Sequence, residues 1–493
     1  MRFFLILITV IVFFFNPTFA LAQQPATANR AQFNPAQTQV VQEWLAHHAI
    51  PLKSVQAGTG FDDLKPLKSV FKNVRIVGLG EASHGQREFF QFKHRLLEFL
   101  VTRMGFTAFS LEASYPACIN INEYVVYGKG DPGKALTSQG FSQFDTQEVL
   151  EMVEWMRQYN SKLPEAKRIK FLGYDMQGQY QYGMDAIPAY LKKVSPDNLT
   201  EVEAAFAALK VERGKPMNIA VQSAEDQAKS IARLEKLHSY LVTRRDEFVR
   251  QTSEWDFNVV LLHARVLVQG AKYSVASFEG VKKFQADKDK KDKSVYSFLG
   301  DAIALRDLYM AENVETQLKM LGPQARMVVG GHNGHIQLGP WGDGIPDFQG
   351  RLKLPAMGGF LRKKFGDAYY ALGFDFYSGS FQALERGEKG IYRLQEFQLS
   401  PASEGSVEWY LKTAADGKGF QNYMVNLRAA PKKGAVAAWL SSPLSLTTLP
   451  GAYSKDHKRE DSQATVSLRE YFDGLLFVEQ TTRARPTPGN TDK

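Results

Sequence analysis

Cysteine is almost absent from this chain: Cys118 is the single one in 493 residues. No intramolecular disulfide can form, so the fold rests on its own apolar core, which a chain of this length is able to build. Charge of one sign is also scarce. Sixty Lys and Arg face 52 Asp and Glu, a net charge of +8, and no basic stripe interleaved with aromatics runs along the chain, which argues against a nucleic-acid partner. Beyond the N-terminus no segment reaches the roughly 18 apolar residues of a membrane span. No G-x-S-x-G elbow occurs, so a serine hydrolase is not supported.

The first 22 residues, MRFFLILITVIVFFFNPTFALA, carry one positive charge, an apolar run from Phe3 to Phe15, a break at Asn16-Pro17 and an Ala-x-Ala end. This is the three-part pattern of a secretory signal peptide cleaved after Ala22. It predicts a periplasmic or secreted protein with no stable membrane insertion after cleavage; an uncleaved anchor is the alternative. A polar linker over 23–39, a catalytic domain over 40–480 and a polar tail over 481–493 complete the expected organisation.

Four short apolar runs, 74–79, 107–111, 168–172 and 326–330, are each followed by polar residues and then by helix-like periodicity. Strands of this kind, separated by helices, predict an α/β fold: a mostly parallel central sheet flanked by helices and buried on both faces. Further strands are expected at 369–374, 436–440 and 475–478. After His84, apolar residues at 89, 92, 96, 97, 100 and 104 follow a helical period. Ser83 with Gln86, and Asp145 with Glu148, have the spacing of capping boxes; if Ser83 caps its helix, His84 lies at that helix's positive end. From about 199 to 300 the chain reads as a helical insertion beside the active-site cleft. The charge run Lys282–Lys293 reads as a solvated loop or exposed helix end.

Glu81, His84, Glu112, Asp175, His332 and His335 all fall at or just past the carboxyl ends of expected parallel strands, the edge where open α/β sheets bind ligands. Glycines beside His84 and between the later histidines permit close backbone approach, which a histidine that merely packs does not require. His47, His48, His94, His238, His263 and His457 lack such settings and read as structural or surface residues. A histidine held by a carboxylate can take a proton from water, and further donors can hold the oxyanion formed when that water attacks an ester. The same residues, Glu-x-x-His with His-x-x-His and a second Glu, also suffice as ligands for zinc or iron. Inhibition by a chelator separates the two chemistries.

The segments GLGEASHG (78–85), SLE (110–112), GYDM (173–176), RDLYMAEN (306–313), HNGHI (332–336), MGG (357–359) and LGF (372–374), in this order over about 40–480, resemble the erythromycin esterase family, which includes macrolide-resistance hydrolases. The resemblance implies cofactor-free, metal-independent opening of an ester or macrocyclic lactone, a small-molecule substrate. It makes His84 the general base and Glu81 the group that positions it or the water. Glu112 orients the same machinery, and His332 and His335 line the site and polarise the carbonyl. Lys93, Asp175, Arg306 and Asn333 would bind substrate or support the site, although Arg306 can equally be a salt-bridging residue of the core. Lys93 stands where the resistance enzymes carry arginine, losing the bidentate fork. With the export signal, this departure separates the chain from resistance enzymes that act inside the cell.

Overall fold

A computed structural model describes residues 33–207, 209, 217–287, 298–341, 354–386, 392–454 and 457–490. The expected signal peptide, the linker up to residue 32, residues 288–293 of the charge run and the last three residues of the tail lie outside them. Eleven strands occur among the described residues: β1 (Ala49–Pro51), β2 (Ile76–Leu79), β3 (Ala108–Ser114), β4 (Lys170–Asp175), β5 (Met327–Gly330), β6 (Tyr369–Arg386), β7 (Tyr392–Leu399), β8 (Tyr423–Asn426), β9 (Leu444–Thr447), β10 (Gln463–Val466) and β11 (Gly474–Thr481). The fold is the expected α/β type, with a mostly parallel central sheet and flanking helices.

The described chain divides into two compact units, one of Ser110–Phe141 with Lys170–Ala325 and the other of Ser142–Ile169 with residues 33–109 and 326–490. In the second unit the strand order is β1-β8-β11-β6-β2-β5, with β7 on β6. The pairs β2–β5, β2–β6 and β6–β11 are parallel, and β1, β7 and β8 pair antiparallel. β2 and β5 are buried at every position, which is why they read as continuous apolar runs rather than alternating ones. Helix α1 (Arg87–Met104) buries Phe89, Phe92, Leu96, Leu97 and Leu100, and also the polar Lys93, His94, Arg95 and Glu98. β9 and β10 form a separate antiparallel pair.

The first unit contains β3 from Ser110 onward, its neighbour β4 and a helical stretch: Leu199–Ala207, Ala224–Thr243, Arg245–Gln251 and α2 (Glu254–Ala286). These pack around Leu234, Leu237, Leu241, Phe248, Phe257 and Leu267, all buried. α3 (Gly300–Met320) follows.

Three local expectations are corrected. The run 436–440 is not a strand but part of the helix Ala435–Ser441, which buries Trp439 and Leu440; its alanines favour helix over strand. α1 begins after Gln86, with no side-chain cap. Ser83 therefore caps nothing, and the premise for placing His84 at a helix end fails. Before the helix Gln147–Ser161 the cap is Thr146, whose hydroxyl accepts from the Val149 N–H.

Candidate active site

The segment 80–86 leaves the end of β2 and is held by main-chain hydrogen bonds from distant parts of the same unit. The carbonyl of Glu81 accepts from Asn333 N–H at 2.8 Å and that of Ala82 from Leu449 N–H at 2.8 Å. The carbonyl of Gly85 accepts from both Gln382 and Ala484. Two glycines make the approach possible. A Cβ at Gly80 would lie 1.9 Å from Oδ1 of Asn333, and one at Gly85 would lie 1.9 Å from the Gln382 carbonyl oxygen.

This loop aims His84 at Glu81. His84 Nδ1 lies 2.7 Å from Glu81 Oε2. The Lys93 ammonium, on α1, donates to Oε1, the other oxygen. Glu81 is fully buried and the Lys93 side chain is 2% exposed, whereas His84 keeps 14% of its side chain accessible. Burial works to raise the Glu81 carboxyl, but Lys93 and the hydrogen bond from His84 outweigh it and hold the group below the ordinary carboxylate range. A carboxylate accepting at Nδ1 fixes the tautomer with hydrogen on that nitrogen, leaving Nε2 with a lone pair. Among the described residues Nε2 has no hydrogen-bond partner. The ring packs edge-on against Phe144, with centroids 5.2 Å apart.

His332 lies beside this pair, its ring centroid 5.2 Å from that of His84. The expectation that it donates to a substrate carbonyl meets a ring already engaged. Nδ1 accepts from Gly334 N–H at 3.1 Å, and Nε2 faces the carbonyl oxygens of Leu449 at 3.1 Å and Ala82 at 3.3 Å. Such a ring braces the loop that carries His84. Asn333 is engaged as well: its amide donates to the Phe374 carbonyl and accepts from the Phe374 N–H, joining the end of β5 to β6. His335 packs edge-on against Trp341, centroids 5.0 Å apart, and a Cβ at Gly334 would meet the same indole at 2.1 Å.

The remaining expected residues form a second cluster, in the first unit. Arg306 Nη2 donates to Glu112 Oε1 at 2.8 Å and to Asp175 Oδ2 at 2.6 Å, and Nε reaches the same Asp175 oxygen at 3.1 Å. The other Asp175 oxygen accepts from Gln177 N–H at 2.9 Å, so Asp175 is both turn residue and counter-ion. Burial acts to lower the Arg306 guanidinium, but the two carboxylates outweigh it and hold it well above its ordinary value. Glu112 lies within β3 and caps no helix; Ser114 precedes the next one.

Gln143 and the segment 449–451 were not singled out by the sequence. Both border His84 through the position of Gly451, where a Cβ would lie 3.3 Å from Gln143 Nε2 and 3.9 Å from His84 Cδ2. The Pro450-Gly451 turn signal was there to read; Gln143, alone between Ser142 and Phe144, carries no pattern.

Among the described residues no three His, Cys, Asp or Glu side chains converge in metal-holding geometry. Both oxygens of Glu81 and both nitrogens of His332 are engaged as hydrogen-bond partners.

Residues 101–481 match the family model "Erythromycin esterase". The matched stretch includes Glu112, Asp175, Arg306, His332 and His335 and begins after the His84 loop. "Erythromycin esterase type II" of Escherichia coli is 28% identical over 457 residues, 90% of this chain and 98% of that protein. "Putative hydrolase YbfO" of Bacillus subtilis (strain 168) is 24% identical over 447 residues, 89% of this chain and 90% of that protein. A solved structure of an erythromycin esterase mutant in its open conformation shares the fold at a TM-score of 0.60 and 17% identity, over 86% of this chain and 94% of its own. The matched family model spans most of the chain, the relatives align over nearly their whole lengths, and the histidine–carboxylate pair suits a hydrolase: the chain belongs to the erythromycin esterase family.

Proposed function

We propose that this protein is a carboxylic ester hydrolase that opens a lactone, with a macrolide such as erythromycin as the substrate class, by direct attack of water. The observation that carries the reading is the His84–Glu81 pair: an imidazole whose Nδ1 is held by a buried carboxylate while Nε2 has no hydrogen-bond partner among the described residues. In the reaction, Nε2 takes a proton from water as the water oxygen bonds to the ester carbon. Glu81 stabilises the imidazolium that forms, and Lys93 keeps Glu81 ionised while that happens. Collapse of the tetrahedral intermediate breaks the bond to the alkoxy oxygen, which receives the proton from His84. Ester and water become acid and alcohol.

The N-terminal pattern adds a second part to the reading: export with cleavage after Ala22, so that the enzyme works in the periplasm or outside the cell. Intact mass of the mature protein, starting at Gln23, tests it.

For the chemistry the experiment is incubation of purified protein with erythromycin, followed by mass spectrometry with and without a chelator. The expected result is the gain of one water in both conditions. Loss of that product on chelation would assign the same residues to a metal shell, and no product in either condition would overturn the macrolide substrate.

A further inference from the structure

We infer that the reacting carbonyl sits over Gly451 and that the side-chain amide of Gln143 is the donor that holds its oxygen. The inference rests on the esterase reading above and supplies what that reading lacks. Water attack on an ester places negative charge on the carbonyl oxygen, and a hydrolase of this kind needs a fixed donor at that position. His332 does not fill the role, because its two nitrogens face the Gly334 N–H and the carbonyls of Leu449 and Ala82.

Gln143 has the properties the role demands. The residue is 8% exposed, and its Oε1 is buried without a hydrogen-bond partner among the described residues. Among the described residues its Nε2 has no acceptor either. Buried amides in native proteins are nearly always satisfied, so an unsatisfied one calls for an explanation. The buried atom is the acceptor Oε1, which fixes the amide with its donor Nε2 on the open side, toward Gly451. The point where a Cβ of residue 451 would stand is 3.3 Å from Gln143 Nε2 and 3.9 Å from His84 Cδ2, the ring carbon next to the free nitrogen. Apart from Gly451 and its two chain neighbours, no other described heavy atom comes within 4 Å of that point. It is a small open seat between a base and an amide donor, and it exists because residue 451 has no side chain. The point itself is one covalent bond from Gly451 Cα, so the carbonyl stands just beyond it, in van der Waals contact with Gly451, its carbon toward water on His84 Nε2 and its oxygen toward the Gln143 N–H.

The balance of the step is complete without a further reagent. As the water oxygen bonds to carbon, the carbonyl π pair moves to the oxygen facing Gln143 Nε2, and His84 holds the proton. When the carbonyl re-forms, the alkoxide leaves with that proton. Gln143 gives up no proton; it stabilises charge that is absent in the bound ester, so its contribution falls on kcat rather than KM.

Two variants test this with erythromycin and p-nitrophenyl acetate as probes. Gln143→Met keeps the length of the side chain and removes the donor. It is expected to lower kcat about a hundredfold with KM within about twofold, and to leave the melting temperature unchanged or raised, because an unsatisfied buried amide is replaced by a thioether. Gly451→Ala sets a methyl against Gln143 Nε2 and His84 without removing either functional group, and is expected to lower kcat/KM at least about tenfold with an unchanged melting temperature. Wild-type hydrolysis with either variant folded and within about threefold of wild-type kcat/KM would overturn the assignment of the seat. A wild-type protein that hydrolyses neither probe would instead overturn the esterase reading on which it rests.

Discussion

Lys93 donates to the one oxygen of Glu81 that His84 leaves unused. The two are twelve residues apart, one at the end of a strand and the other on the second turn of α1, and both are buried. A buried ion pair of this kind contributes little net stability, but removal of one partner strands a charge. Glu81→Gln is therefore expected to destabilise the fold by about 3–5 kcal/mol as well as to abolish turnover. Glu81→Gln combined with Lys93→Met should recover most of the stability and none of the activity. Chemical denaturation and kcat of the three proteins check both halves of the statement.

His84 is different in kind. It sits on a loop, keeps part of its surface accessible and meets its buried neighbours Glu81, Phe144 and His332 with the imidazole alone. His84→Ala should lower kcat by at least about a hundredfold and leave the melting temperature within a few degrees of wild type. Ordinary turnover in that variant would remove His84 from the mechanism.

Arg306 holds two carboxylates at once. Glu112→Gln leaves Arg306 its bonds to Asp175, so this substitution reports on chemistry rather than on collapse of the cluster. Turnover is expected to fall more than tenfold, equivalent to about 1.4 kcal/mol; a smaller effect would make Glu112 a structural counter-ion. Arg306→Met, in contrast, leaves Glu112 and Asp175 without their cation and should cost about 3–5 kcal/mol in denaturation experiments.

Two histidines set an acid limit on stability. Burial lowers His94 to about 4 and His263 to about 3, from an ordinary value of 6.5. Above pH 6.5 both are neutral folded or unfolded, and their contribution is fully present. Below 6.5 the unfolded chain takes up protons that the folded protein does not, so stability falls as the pH drops, through about 4 for His94 and about 3 for His263. At 1.36 kcal/mol per pH unit, His94 accounts for roughly 3 kcal/mol of loss. Melting curves from pH 7 to 4 should show the decline, and His94→Phe should flatten it.

The sheet was legible because the two buried strands β2 and β5 are short apolar runs that end in unlike residues: Gly-Glu after one, Gly-His after the other. Periodicity found α1 but not its polar passengers, since Lys93, His94, Arg95 and Glu98 are buried by what lies opposite them. The five-residue run 436–440 is too short for its periodicity to tell helix from strand. The histidine motifs were visible, yet their roles were not equally so. His84 meets a side chain three residues away, a spacing present in the sequence, whereas His332 meets main-chain carbonyls from residues 82 and 449. A carbonyl leaves no signature in the amino-acid order, and neither does an amide such as Gln143, whose side chain has no hydrogen-bond partner among the described residues.

The tethers on the His84 loop reach far along the chain. Leu449 holds Ala82 and Ala484 holds Gly85, and Thr482 holds Glu88 across 394 residues. During synthesis at roughly 5–20 residues per second, α1 leaves the ribosome on the order of half a minute before the residues that anchor its N-terminus. The base and its carboxylate are thus made early and fastened last. A chain interrupted between about residues 336 and 448 carries every acid and histidine of the site and lacks the Leu449 and Ala484 tethers of the His84 loop.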